Sequence, residues 1–286
     1  MLKLQTKVEF GTSPVHISYS DGTVLLGSCF ADNIGSRMSA AGFNVCVNPF
    51  GTLYNPVSVC RAADRLESGT PFTAADCVEM GAGAGLVCSF HHHTSFARRT
   101  GEEFLQAANA SLSEAHGLWR KASLVIITLG TAYCYRHIDS GLVVSNCLKR
   151  PAREFTRSRL TLEETSSLLG DLVSLYRDKR FIITVSPIRH MADGAAANQL
   201  SKSTLILAAD SVTDGSRVVY FPAYEIVMDE LRDYRFYAED MVHPSAQACD
   251  YIWERFCDFA LPEGERQTLL ENMKASRLRQ HRPISR

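Results

Sequence analysis

The sequence predicts an α/β fold: a mainly parallel central sheet with helices on both faces, a three-layer α/β/α sandwich. Three observations predict it. Short apolar runs alternate with longer stretches of helical periodicity, the pattern of strands joined by helical crossovers. The run Leu124–Leu129 is apolar but for Thr128, as a central strand covered on both faces should be. The chain has 286 residues, 45% of them hydrophobic and 21% charged, which is ample for one large core.

Residues 1–22 are polar and irregular, and Ser20-Asp21-Gly22 makes a turn into the first strand. Thr23–Leu26 is that strand, and Gly27 ends it where the backbone must turn sharply. Phe30, Ile34, Met38 and Ala41 then recur at helical spacing, so Ser28 stands on a strand-to-helix turn. Val45–Val47 is a second short strand. It leads into Asn48-Pro49-Phe50-Gly51-Thr52-Leu53-Tyr54-Asn55-Pro56, a loop rich in turn formers whose aromatic residues pack it against the body.

A helix is predicted over 57–68. The stretch Met80–Gly85 is a flexible turn, not a phosphate loop, because no apolar strand precedes it and no helix follows. Val87–Phe96 opens with strand-forming residues, and on a strand His91 and His93 would share one face and His92 the other. A helix is expected from Gly101 to Lys121. Residues 57–122 together form an inserted segment between sheet elements. Further helices are expected from Thr161 to Arg177, where Thr161 and Glu164 form a capping box, over 195–212, and after Ser245. Phe181–Val185 and Val218–Phe221 are two more strands. With no linker and no repeat, residues 1–262 are one domain. Residues 263–286 are a basic helical tail (Lys274, Arg277, Arg279, Arg282, Arg286), suited to solvent or to a contact between copies in a homo-oligomer.

The net charge of −1 exerts no pull toward nucleic acid or an anionic membrane. The N-terminus lacks a signal-peptide core, and no run is long enough to span a bilayer. Nine cysteines, an odd number and without a CxxC pair, suit reduced thiols in a cytoplasmic protein. No metal or cofactor is expected, since the histidines have no cysteine or carboxylate at ligand spacing.

Reacting groups in such a sheet gather at the carboxyl ends of the strands. Ser28, at the first strand end and a helix start, suits a nucleophile whose attack creates an oxyanion; its plainer role is a helix cap. Asp240-Met241-Val242-His243-Pro244, ahead of the last helix, supplies a base and a carboxylate to orient it. Gly27-Ser28-Cys29-Phe30-Ala31 matches the string that names the GSCFA family. Asn48-Pro49-Phe50-Gly51, Leu129-Gly130-Thr131-Ala132 and the Asp240–Pro244 stretch resemble its other blocks. That family resembles the SGNH (GDSL-type) esterases and acyltransferases, with a flavodoxin-like sheet. The resemblance implies Ser28 as nucleophile, His243 as base and Asp240 as its orienting carboxylate. It also implies an oxyanion hole from the backbone N–H groups of Ser28 and Gly51. The chain lacks the family's asparagine after the central strand, so the third donor falls to Thr131, Asn55 or Asn146.

The expected activity is acyl transfer from a small ester, an O-acylated carbohydrate among the candidates, to water or an alcohol. Cys29, Asn55, His91, His93, Tyr133 and His190 are the expected pocket residues. Three alternatives stand beside it: Cys29 as the nucleophile, a non-catalytic pocket binding a glycan or protein, and a zinc hydrolase built on the histidines.

Overall fold

A computed structural model describes residues 5–280. Its centre is a five-stranded parallel sheet of β1 (Gly22–Gly27), β2 (Asn44–Val47), β5 (Leu124–Leu129), β9 (Arg180–Val185) and β10 (Val218–Phe221). They stand in the order β10-β9-β5-β1-β2. The chain leaves β1 outward to β2 and returns to the other side of β1 at β5. The β1–β5 boundary is therefore the topological switch point, where the loops after adjacent strands part and leave a crevice.

Both faces of the sheet are covered, and the two-residue period of the strands decides what each covers. Val24 and Leu26 of β1, with Val125, Ile127 and Leu129 of β5, face one core. Over it lie α2 (Pro56–Ser68), α3 (Gly101–Trp119), α4 (Leu162–Leu175) and α5 (Gly194–Val212). Leu25, Leu124 and Ile126 face the other core, under α1 (Cys29–Ala40) and α7 (Ala246–Ala260). The helices start where the sequence announces them. Thr161 Oγ1 accepts from Glu164 N and Glu164 answers to Thr161 N, and Ser245 caps α7.

Residues 57–122 contain α2 and α3, with a small hairpin of β3 (Val78–Glu79) and β4 (Val87–Cys88) between them; Gly81–Gly85 is its turn. The strand β4 stops at Cys88, and His91–His93 lie in a turn leading to the short helical turn Thr94–Phe96. Ser89 Oγ causes this: it lies 2.6 Å from His92 Nδ1 and accepts from His91 N at 3.2 Å, which folds the chain back. Residues 133–159 hold a three-stranded antiparallel sheet, β6 (Tyr133–His137), β7 (Val143–Val144) and β8 (Phe155–Arg159), for which the sequence reading has no counterpart. After β10 the chain passes through α6 (Ala223–Glu225) and a π-helical turn, Ile226–Glu230. The tail carries α8 (Arg266–Gln280); Arg282 and Arg286 lie outside the described residues. Among the described residues no helix is long and apolar enough to cross a membrane.

Candidate active site

The β1–α1 turn is held from three sides. Gly27 has φ +140°, and an added Cβ would collide with the Thr128 carbonyl of the neighbouring strand. Its N–H donates to Asn48 Oδ1 at 2.8 Å and its carbonyl accepts from Leu53 N at 2.7 Å. Asn48 Nδ2 donates to Asp32 Oδ1 at 2.6 Å, so one buried side chain ties the strand end to the first turn of α1. These bonds explain why the Asn48–Gly51 loop is packed rather than loose.

On this turn the two adjacent candidates part company. Ser28 is buried, and its Oγ accepts from Phe30 N at 3.3 Å as the α1 cap. Its own N–H donates to Thr128 O at 3.1 Å. Cys29, the first residue of α1, is turned toward a cleft of about 480 Å³, and its Sγ lies 3.8 Å from His243 Nε2. The His243 ring is oriented on its far side. Nδ1 is 2.6 Å from Asp240 Oδ2, while Asp240 Oδ1 accepts from Val242 N and His243 N, both at 2.9 Å. These bonds hold the Asp240 carboxyl down at about 2. With Nδ1–H given to the carboxylate, Nε2 keeps its lone pair and presents it to sulfur. Met241 takes φ +57° to let the loop close this tightly.

The dyad thus forms as the Asp-x-x-His spacing implies, but the expected pairing of His243 with Ser28 is not what the turn presents. The reason is rotational: a cap residue points its side chain back at the helix N–H groups, and the next residue points out. The N–H groups expected to form the oxyanion hole have partners within the protein. The N–H of Ser28 goes to Thr128 O, that of Gly51 to Asn48 O at 2.7 Å, and that of Thr131 to Tyr54 O at 2.8 Å. Thr131 Oγ1 bonds Ser201 Oγ and accepts from Tyr133 N. Among the described residues the Cys29 N–H has no partner. Asn55 lines the cleft with its Oδ1 taken by Ser58 N at 2.9 Å, which leaves Nδ2 as the free end of the carboxamide.

Tyr133 and His190 also line the cleft. His190 Nε2 donates to Gly130 O at 3.0 Å, and burial, aided by Lys202, lowers its imidazole to about 4, so it stays neutral. His91 and His93 lie elsewhere. His91 borders a separate cavity beside Arg61 and Arg65, with Asp76 4.0 Å away, and His93 caps the Thr94–Phe96 turn. Among the described residues no cluster of three ligating side chains could hold a metal ion.

Several lining residues have no counterpart in the sequence reading. Tyr135 and Arg157 come from the antiparallel sheet. The alternation in Tyr133-Cys134-Tyr135 and the Ser140-Gly141 turn were the available signals for that sheet. Lys202 of α5 is fully buried beneath this region; its Nζ donates to the carbonyls of Gly130 and Ser186 at 2.7 Å each. Burial brings its ammonium down to about 7. Burial first, then the Asp32 carboxylate, push the Cys29 thiol above its ordinary value, so at rest it keeps its proton.

The sequence profile of the GSCFA family matches residues 22–256. No curated protein sequence matches the chain. Among solved structures, the chain is similar to an acetyl xylan esterase (Est2A) from the rumen bacterium Butyrivibrio proteoclasticus at 12% identity and a TM-score of 0.39. That likeness covers 88% of this chain and 65% of the other, so the chain spans less than two thirds of that protein's length.

Proposed function

This chain belongs to the GSCFA family, and from its cleft we propose acyl transfer through a covalent thioester on Cys29, with His243 as base and Asp240 as the carboxylate that orients it. The observation that carries the reading is the 3.8 Å approach of Cys29 Sγ to an imidazole already held by a carboxylate. Because the resting thiol is protonated, His243 acts as a general base during attack. Nε2 takes the Sγ proton as sulfur adds to the acyl carbonyl. The oxyanion is met by the Cys29 N–H and by Asn55 Nδ2. The intermediate collapses as Nε2–H returns the proton to the leaving alcohol, leaving the acyl group on sulfur. Water or a second alcohol then repeats the cycle and frees the thiol. The cleft volume suits a small ester, and its tyrosine walls suit the flat faces of a sugar ring, in keeping with an O-acylated carbohydrate.

A pocket that binds without catalysis is the second reading, supported by the engaged N–H groups of Gly51 and Thr131. Turnover of 4-nitrophenyl acetate by the wild type and by Cys29→Ala, His243→Ala and Ser28→Ala separates these readings. Loss in the first two variants with turnover retained in Ser28→Ala is expected, together with an acyl adduct on wild-type Cys29 by peptide mass. Full turnover in Cys29→Ala would refute the thioester. Loss in Ser28→Ala, folded, would return the role to the hydroxyl.

A further inference from the structure

The cationic side chains of the cleft are not all answered. Arg157 on β8 lies over the Tyr133 ring, 4.0 Å from its centroid, and donates to both Asp193 oxygens at 2.5 Å. Its charge is matched inside the protein. Arg189 lines the same cleft as Cys29 and His243, yet among the described residues it forms no ion pair with any carboxylate. Its Nε is buried with no hydrogen-bond partner. Its backbone N–H donates to Val242 O at 3.3 Å, which ties it to the Asp240–His243 loop. Arg189 also borders the groove beyond that loop, lined by Tyr237 and Asp240, so it stands where cleft and groove meet.

The nearby acids do not balance it. Asp193 is engaged by Arg157, and Asp240 by His243 and its own loop. Lys202, beneath the cleft, gives its Nζ hydrogen bonds to neutral carbonyls and brings no carboxylate to the region. A guanidinium with a desolvated, unpaired donor is costly to hold, and in a low-dielectric cleft its field is strong. Its planar fork matches a carboxylate or phosphate better than any neutral group.

We propose that Arg189 is an anion subsite beside the acyl-transfer centre, and that the substrate carries a carboxylate or phosphate on its acyl or its leaving group. The substrate assignment rests on the acyl-transfer reading, whereas the subsite itself does not.

The test compares kcat/KM of wild type, Arg189→Met and Arg189→Lys on three esters. These are 4-nitrophenyl acetate, the 4-nitrophenyl half-ester of succinate with a carboxylate on the acyl side, and 4-acetoxyphenyl phosphate with a phosphate on the leaving side. The wild type should favour at least one anionic ester over the neutral one by roughly ten- to a hundredfold, mainly through KM. Arg189→Met should bring that ratio close to unity, and Arg189→Lys should restore part of it. No anionic preference in the wild type, or the same preference in Arg189→Met, would overturn the subsite. If the wild type turns over none of the three, the acyl-transfer reading fails, and the subsite is read by thermal melting. Succinate or inorganic phosphate should then raise the melting temperature of the wild type and not of Arg189→Met; no such difference would overturn it as well.

Discussion

Asp240 receives two hydrogen bonds from His243, one from its backbone N–H at 2.9 Å and one from Nδ1 at 2.6 Å. The carboxylate therefore fixes the loop and the ring together. Asp240→Asn removes the charge that favours the imidazolium and allows the ring to turn. Turnover of 4-nitrophenyl acetate should fall by about a hundredfold or more, the scale of general-base catalysis. The pH dependence has a definite sign. A carboxyl held at about 2 in the fold and at its ordinary value in the unfolded chain contributes stability above that ordinary value, lost as pH falls toward 2. Acid titration followed by circular dichroism should show that loss shrink in Asp240→Asn.

Asn55 has two separable duties. Its Oδ1 caps α2 by accepting from Ser58 N, and its Nδ2 is the proposed oxyanion donor of the cleft that Asn55 lines. Asn55→Asp keeps the cap, since aspartate caps as well as asparagine, and replaces the donor with a repelling oxygen. The melting temperature should hold while kcat drops by roughly a hundred- to a thousandfold, the loss typical of one oxyanion donor. Unchanged kcat would remove Asn55 from the mechanism.

Gly27→Ala should be among the most damaging single-methyl additions in the chain. A side chain at φ +140° is strained, and the new methyl meets the Thr128 carbonyl at the last pair of the β1–β5 register. Losses of roughly 1–3 kcal/mol come from the backbone alone, and the collision adds to them. Urea unfolding should show the midpoint fall well beyond that of Gly117→Ala, where the added methyl meets open space.

Lys202→Met exposes a different titration. A lysine lowered to about 7 in the fold binds fewer protons than the unfolded chain between that pH and its ordinary value. Stability from this group therefore rises with pH across that interval. The variant should lose this rise, even though it also leaves the Gly130 and Ser186 carbonyls without a donor. Urea midpoints at about pH 7 and pH 10 would measure it.

Much of the fold is legible in the sequence because apolar runs such as Leu124–Leu129 and capped helices such as Thr161–Leu175 state their own burial. The Asp240–His243 pairing is legible as well, being local. Two features are not. Ser28 and Cys29 are adjacent, and which of them faces an imidazole more than two hundred residues away depends on how α1 is rotated against the sheet. That rotation is set by Phe30, Ile34 and Met38 docking under α7, a tertiary fact. The sheet at 133–159 escapes for another reason: much of β6 and β8 is solvated, so it lacks the buried run that marks a strand.

The contact between Cys29 and His243 spans 214 positions of chain. During synthesis the thiol, on the first strand and helix of the sheet, emerges well before the imidazole. Until α7 docks, Cys29 has no base beside it, and loop closure over that distance comes late in folding. Partly folded chains thus lack the base-assisted chemistry at this position, while their exposed thiol keeps its ordinary value, below that of the buried thiol of the fold. Slowing of Cys29 alkylation as burial raises its thiol would mark the completed fold, which makes Cys29 a built-in clock for the last step of assembly.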